Sequence, residues 1–184
     1  MSKITKKICL LGDFNVGKTS LVRRFVEDKF SDQYLSTVGV KVSRKSVNVK
    51  TDLEIDQVDL LVWDLEGNTK FKSITPSYLK GASGSIIVAD LTRSDTLKNI
   101  KQHIELFLKV NPKGVILIAL NKRDLIPKEK LSKLVEHYSS YRSKRIVSIQ
   151  TTSAKTGANV AKIFDQLATT VSSALSVQPR EDSG

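Results

Sequence analysis

The segment Gly12-Asp13-Phe14-Asn15-Val16-Gly17-Lys18-Thr19 has the spacing G-x-x-x-x-G-K-[ST]. Phosphate binding accounts for each fixed position. The glycines let the backbone curl so that successive N–H groups face one anion. A helix opening near Gly17 adds the positive end of its dipole. Lys18 brings a charge to the β- and γ-phosphates, and Thr19 brings a hydroxyl to Mg2+. Asp13, Phe14, Asn15, Val16, Gly17, Lys18, Thr19 and Ser20 are therefore expected to surround a polyphosphate.

Three further short motifs fit the same ligand. In Val62-Trp63-Asp64-Leu65-Glu66-Gly67, Asp64 can hold a Mg2+-bound water, and the Gly67 N–H can approach a γ-phosphate with no Cβ in the way. In Asn121-Lys122-Arg123-Asp124, the Asp124 carboxylate can accept both N1–H and N2–H2 of guanine, a donor pair adenine lacks. Asn121 and Asp124 also suit a plain turn into a helix, with Pro127 following. In Ser153-Ala154-Lys155, the Ala154 N–H can donate to guanine O6.

Such motifs need a scaffold that brings them to one edge, and the apolar pattern supplies it. Ile8-Cys9-Leu10-Leu11 reads as a strand ending at Gly12, followed by helical spacing from Lys18 to about Glu27 and a polar loop over 28–39. Strand-like stretches cover about 40–50 and 57–63. Residues 85–89 and 115–120 are continuous apolar runs, as in strands covered on both faces of a parallel sheet. Leu97, Ile100, Ile104, Phe107 and Leu108 form one helix stripe over 95–110. Residues 128–142 read as helix, 145–150 as strand and 157–175 as a last helix. Strands alternating with helices predict an α/β fold, a six-stranded, mainly parallel sheet with about five helices. Ligands of such sheets sit beyond the carboxyl ends of the strands, where the four motifs fall.

Length and composition bound the rest. The 184 residues suit one domain, read as 1–175 with a short polar tail over 176–184. No apolar run approaches the ~20 residues of a membrane span. The single cysteine, Cys9, rules out an internal disulfide and fits a reducing, cytoplasmic setting; it reads as inert core. Lys+Arg exceed Asp+Glu by 30 − 19 = 11, which biases the chain toward acidic partners or an anionic membrane. Nucleic acid is not expected, because the aromatics are not interleaved with the basic clusters. Lys41, Arg44, Lys45 and Lys50 face Asp52, Glu54, Asp56 and Asp59 in sequence, as cross-strand charge pairs of one hairpin would. His103 and His137 fall on helices away from the motifs and read as surface residues.

With these motifs in this order, roughly residues 5–175 resemble a small GTPase of the Ras superfamily, most of all its Rab branch. The resemblance implies the P-loop NTPase fold of small GTPase type and a GTP/GDP switch that hydrolyses GTP with Mg2+. It makes Ser36-Thr37-Val38-Gly39-Val40 a first switch, with Thr37 closing on Mg2+ and γ-phosphate, and sets Phe30 across the guanine. Trp63-Asp64, Phe71, Ile74, Ser77-Tyr78 and Gly81-Ala82 follow the Rab second switch. The implied catalytic set is Lys18, Thr37, Gly67 and Asn68. The implied nucleotide contacts add Asn121, Lys122, Asp124, Ser153, Ala154 and Lys155 to the phosphate loop, Phe30, Thr37, Asp64 and Gly67. The metal set is Thr19, Thr37 and, through water, Asp64. An effector, an exchange factor and an activating protein are the implied partners of a monomer.

Two positions depart from the family pattern. Asn68 stands where a water-orienting Gln is usual, one methylene or roughly 1.3 Å shorter. Phe14 occupies the third loop position, where Gly or Ser is frequent, and Asn15 replaces another frequent Gly. Slow unaided hydrolysis is expected, with a non-cycling GTP-binding interaction module as the alternative. The chain ends Gln178-Pro179-Arg180-Glu181-Asp182-Ser183-Gly184, without the prenylated cysteines usual in Rab proteins. Membrane contact is thus expected only through charge or partners.

Overall fold

The computed structural model describes residues 4–33, 36–50, 55–67 and 76–173. Asn68, Phe71, Ile74, Asp52, Glu54 and the 176–184 tail lie outside the described residues. The elements run β1 (Ile4–Leu11), α1 (Lys18–Glu27), β2 (Val40–Lys50), β3 (Ile55–Leu65), β4 (Gly84–Asp90), α2 (Ser94–Lys98), α3 (Ile100–Val110), β5 (Val115–Asn121), α4 (Lys128–Tyr138), β6 (Ile146–Thr151) and α5 (Val160–Ser173). The six strands lie in the order β2-β3-β1-β4-β5-β6. Among the described residues, only the β2–β3 pair is antiparallel.

The layering follows from the two-residue period of the strands. Along β1, Ile8 and Leu10 face a cluster shared with α1 and α5, where Phe25 stacks on Phe164 at 4.1 Å between centroids. Such a ring pair adds about 1 kcal/mol beyond its buried area. Cys9 and Leu11 face the opposite cluster, shared with Leu97 of α2, Phe107 of α3 and Leu131 of α4. Burial pushes the Cys9 thiol up to about 12, in keeping with an inert core residue. β4 and β5 are buried at every position, as their continuous apolar runs require.

Parallel register lines up the strand ends. Leu10 pairs with Asp64, Leu11 with Ile87, Asp90 with Asn121 and Leu120 with Thr151. Gly12, Glu66, Asn121 and Thr152 are thereby delivered to one edge.

The expected 95–110 helix is divided. It breaks at Asn99, whose ψ of −7° closes a turn between α2 and α3. The helix expected to reach 142 ends at Tyr138 and tightens into a 3-10 turn over Ser139–Tyr141. The two strands pair, and among the described residues one of the expected cross-strand charge pairs, Arg44 with Asp59, is present. Asp59 is fully buried and takes hydrogen bonds from Arg44 and Ser46. Burying a carboxylate this way is tolerable because hydrogen-bond partners satisfy it. Among the described residues, no helix is long and apolar enough to cross a membrane.

Candidate functional site

β1 hands the chain to Gly12, and the loop from there to Lys18 curls around its own carbonyls. Lys18 Nζ donates to Gly12 O and Asp13 O, each at 2.9 Å. Arg93 Nη1 donates to Phe14 O at 2.8 Å, Lys122 Nζ to Asn15 O at 3.1 Å and Asn121 Nδ2 to Val16 O at 3.0 Å. The C=O and the following N–H of a trans peptide point in opposite directions. Pinning the carbonyls of residues 14–16 therefore turns the amides of Asn15, Val16 and Gly17 the other way. Gly17 permits the tight passage. Its φ is +100°, and a Cβ there would sit 2.3 Å from Asn121 Nδ2.

Lys18 is 5% exposed, and the hydrogen-bond partners of its ammonium are carbonyls rather than a carboxylate. Burial brings its pKa down to about 8, against the opposing pull of Asp64 and Asp13. A buried cation held only by carbonyl dipoles fits an anion placed beside it. The chemistry of the loop therefore suits a phosphate.

Three oxygens meet next to it. Thr19 Oγ1 stands 2.7 Å from Thr37 Oγ1 and donates to Asp64 Oδ2 at 2.6 Å. Asp64 Oδ1 is buried and has no hydrogen-bond partner among the described residues. Burial raises the Asp64 carboxyl despite the hydrogen bond from Thr19 and the charge of Lys18. An orphaned carboxylate oxygen beside two hydroxyls fits a hard divalent cation, directly or through water. Glu66 ties the segment holding Thr37 to the end of β3. Its N–H donates to Gly39 O at 2.8 Å, and its carboxylate accepts the Gly39 N–H at 2.9 Å. Leu65 is buried in the core.

At the other end, Asn121 is held by Thr152 Oγ1, which donates to Asn121 Oδ1 at 3.1 Å. Ser153 Oγ donates to Asp124 Oδ1 at 2.6 Å, leaving the carboxylate's other oxygen and its remaining lone pairs for a ligand. Lys122 also pairs with buried Asp90 at 2.7 Å. Arg24 fixes the last loop from below, donating from Nε to Ala154 O at 2.8 Å and from Nη2 to Lys155 O at 2.7 Å.

A continuous cleft joins the two ends. One part, about 80 Å³, is lined by Phe14, Lys18, Thr19, Thr37 and Gly67; the other, about 350 Å³, by Asn121, Lys122, Asp124, Ala154 and Lys155. Asn15, Gly17, Ser20 and Phe30 line both. Phe30 also packs against the α1–α5 core, so its ring has two neighbours of different kinds. Four residues expected around the ligand are not on this wall. Val16 is fully buried, Ser153 lies behind Asp124, and Asp13 turns its carboxylate toward α3. Asp64 opens instead into an adjoining recess with Thr19 and Lys41.

The surface reading of His103 is overturned. It is 2% exposed, and its Nε2 stands 2.8 Å from Asp13 Oδ1, while Asn99 Nδ2 donates to Asp13 Oδ2 at 2.7 Å. The helix break at Asn99 turns this stretch into the phosphate loop, which a uniform helix stripe does not reveal. Burial acts to raise the Asp13 carboxyl, but hydrogen bonds from His103 and Asn99, with the charges of His103 and Lys18, hold it below the usual range. Arg24, Arg93, Asn99 and His103 belong to no motif; each reaches the site through the fold.

Comparison with known proteins agrees with this geometry. The model of the Ras family matches residues 7–173. The chain is 36% identical to Ras-related protein Rab-13 of Bos taurus over 163 residues, 88% of this chain and 77% of that protein. It is 33% identical to Ras-related protein Rab-22A of Homo sapiens over 163 residues, 88% of this chain and 80% of that one. It is 36% identical to Ras-related protein RABF2a of Arabidopsis thaliana over 166 residues, 90% of this chain and 80% of the relative.

Proposed function

The chain belongs to the Ras family, as a small GTPase of the Rab branch, and from that premise we propose that it is a cytoplasmic GTP/GDP switch with slow unaided hydrolysis. The observation that carries this reading is the meeting of Thr19, Thr37 and Asp64, with its orphaned oxygen, beside buried Lys18. Residues 1–175 would form the nucleotide-binding domain, with 176–184 as a polar tail.

Lys18 and the amides of residues 15–17 hold the β- and γ-phosphates. Thr19 and Thr37 would supply hydroxyls to Mg2+, and Asp64 would hold a water of its shell. When bound, the metal neutralises charge on the phosphate oxygens. Asp124 selects guanine, Ala154 N–H meets O6, and Phe30 and Lys155 cover the base. The Gly67 N–H meets the γ-phosphate. Since Glu66 and Gly39 link the Gly67 and Thr37 segments, loss of that phosphate releases both together, and an effector reads the change.

Hydrolysis is the weak step in this reading. Asn68 would orient the attacking water from one methylene too far away, and a misplacement of about 1 Å can cost ~10²-fold. Phe14 supports a second reading. Its side chain, 40% exposed, lies on the cleft wall with Gly67, where it would crowd both the water and any arginine offered by an activating protein. The chain would then be a GTP-loaded interaction module that cycles only by exchange.

Single-turnover hydrolysis on protein loaded with GTP and Mg2+ tests the choice. A rate near the ~10⁻⁴ s⁻¹ scale of intrinsic switch GTPases supports cycling. GTP still intact after many hours supports the module. Failure to retain guanine nucleotide at all removes both.

A further inference from the structure

His103 is a buried titratable group with no part in the mechanism above. It and Asn99 stand one helical turn apart, with the His103 N–H donating to Asn99 O at 3.2 Å. Together they cover both oxygens of one carboxylate, Asp13. Asp13 is the second residue of the phosphate loop, and its own carbonyl accepts from Lys18 Nζ. An ionised Asp13 therefore sets a negative charge immediately behind a loop built to hold a polyanion. Asn99 can satisfy one oxygen but cannot cancel the charge. His103 can do both, because imidazole near neutral pH gains or loses a proton.

The remaining charges around His103 do not substitute for it. Among the described residues, Lys18 is the other cation near Asp13, and it is committed to the phosphate side of the loop. On α3, Lys101 and Glu105 pair with each other in solvent at 3.9 Å. Ahead of α2, Arg93 is engaged by Asp95 and by Phe14 O. The titratable group on β4, Asp90, is taken by Lys122.

We propose that His103 is a positioning residue which sets the phosphate affinity of the loop through Asp13, so that nucleotide is held more tightly when the imidazole is protonated. With imidazolium present, the Asp13–His103 pair is neutral and the phosphates meet Lys18 without that charge behind the loop. With neutral imidazole, the hydrogen bond persists but one negative charge is left behind the phosphates. Loss of the proton therefore speeds nucleotide release. The proposal rests on the reading of the cleft as a guanine-nucleotide site.

The test is the dissociation rate of a fluorescent GDP analogue from Mg2+-loaded protein between pH 5.5 and 8.5. The native chain is expected to release it several-fold faster at the alkaline end, with one inflection. His103→Gln keeps a hydrogen-bond donor but cannot titrate; it should be flat near the alkaline rate. Asp13→Asn, which removes the charge, should hold the analogue at the alkaline end about as long as the native chain does at the acid end. Should either variant fold poorly, the imidazole C–H resonance of His103 in the native chain gives the same answer, assigned with His137→Gln as the control. Its titration must shift upward when GDP is bound, because linkage is reciprocal. A His103→Gln profile that keeps the native inflection, or an imidazole titration identical with and without GDP, overturns the proposal while leaving the nucleotide site standing. No binding of the analogue at any pH overturns the site, and the proposal with it.

Discussion

Gly67 lies directly on the backbone of Phe14: a Cβ built on Gly67 would stand 2.5 Å from Phe14 Cα and 2.7 Å from its nitrogen. The neighbour is backbone, so nothing flexible can yield. Residue 67 and the third residue of the Gly12–Thr19 loop therefore share one steric constraint. A side chain at 67 must push the segment away from the loop.

Gly67→Ala should accordingly uncouple γ-phosphate sensing from nucleotide binding. GDP affinity should change by less than about twofold, while the preference for a non-hydrolysable GTP analogue over GDP falls about tenfold, or ~1.4 kcal/mol. Calorimetric titration of both ligands gives the ratio. An unchanged ratio would show that the amide of residue 67 does not meet the γ-phosphate.

In the proposed function base selection falls to Asp124, whose carboxylate accepts a hydrogen bond from Ser153. Asp124→Asn replaces an acceptor-only group by one that donates on one side. A charge-assisted hydrogen bond contributes about 1.5–3 kcal/mol, so GTP affinity should fall by at least tenfold. Xanthine nucleotides, which carry a carbonyl where guanine has its amino group, should gain. Competition between XTP and GTP for the variant reads the switch. If GTP still wins as strongly as in the native chain, Asp124 does not face the base.

Most of the sheet was legible because burial on both faces leaves continuous apolar runs, as in β4 and β5. The ligand-facing motifs were legible because phosphate and guanine chemistry restrict residue type at fixed spacing. What escaped was held together across the chain. Arg24 reaches Ala154 and Lys155 over about 130 positions, Arg93 reaches Phe14, and Asn99 with His103 reaches Asp13. No local period encodes such contacts. The His103 error has a specific cause: a helix read only for its apolar stripe gives no hint that it stops and turns at Asn99.

Asp90 offers a pH test that does not involve the nucleotide. Burial tends to raise its carboxyl, but the hydrogen bonds from Lys122 and Thr92 and the Lys122 charge outweigh this and hold it below the ordinary value. A depressed carboxyl contributes stability that is complete above the unfolded value of about 3.9 and lost as pH falls through the folded one. Asp90→Asn should cost about 1–3 kcal/mol at pH 7 and make the decline below pH 4 shallower. Urea midpoints at pH 7, 5, 4 and 3 check this. Raised carboxyls such as Asp64 and Asp165 act in the opposite sense and cancel in the comparison. A variant with parallel acid loss would mean that the Lys122 pair is not formed in solution.

The catalytic prediction separates Phe14 from Asn68, because the two act on different groups. Phe14 contributes bulk on the cleft wall beside Gly67, so Phe14→Gly should relieve crowding and raise single-turnover hydrolysis by about tenfold. Asn68, in the proposed function, falls one methylene short, so Asn68→Gln alone should help less, because the Phe14 ring would crowd the longer amide. The double variant should exceed the product of the single effects and approach a ~10²-fold gain, the scale expected when a reacting water is moved by about 1 Å into place. Residues that share one volume are non-additive in this sense. Product release from preloaded GTP, followed for all four chains at one Mg2+ concentration, measures the cycle. Simple multiplication of the two effects would place Phe14 outside the path of the water-positioning amide. No gain in any variant would mean that hydrolysis is limited by a group neither residue touches, and would favour the reading of the chain as a GTP-loaded module.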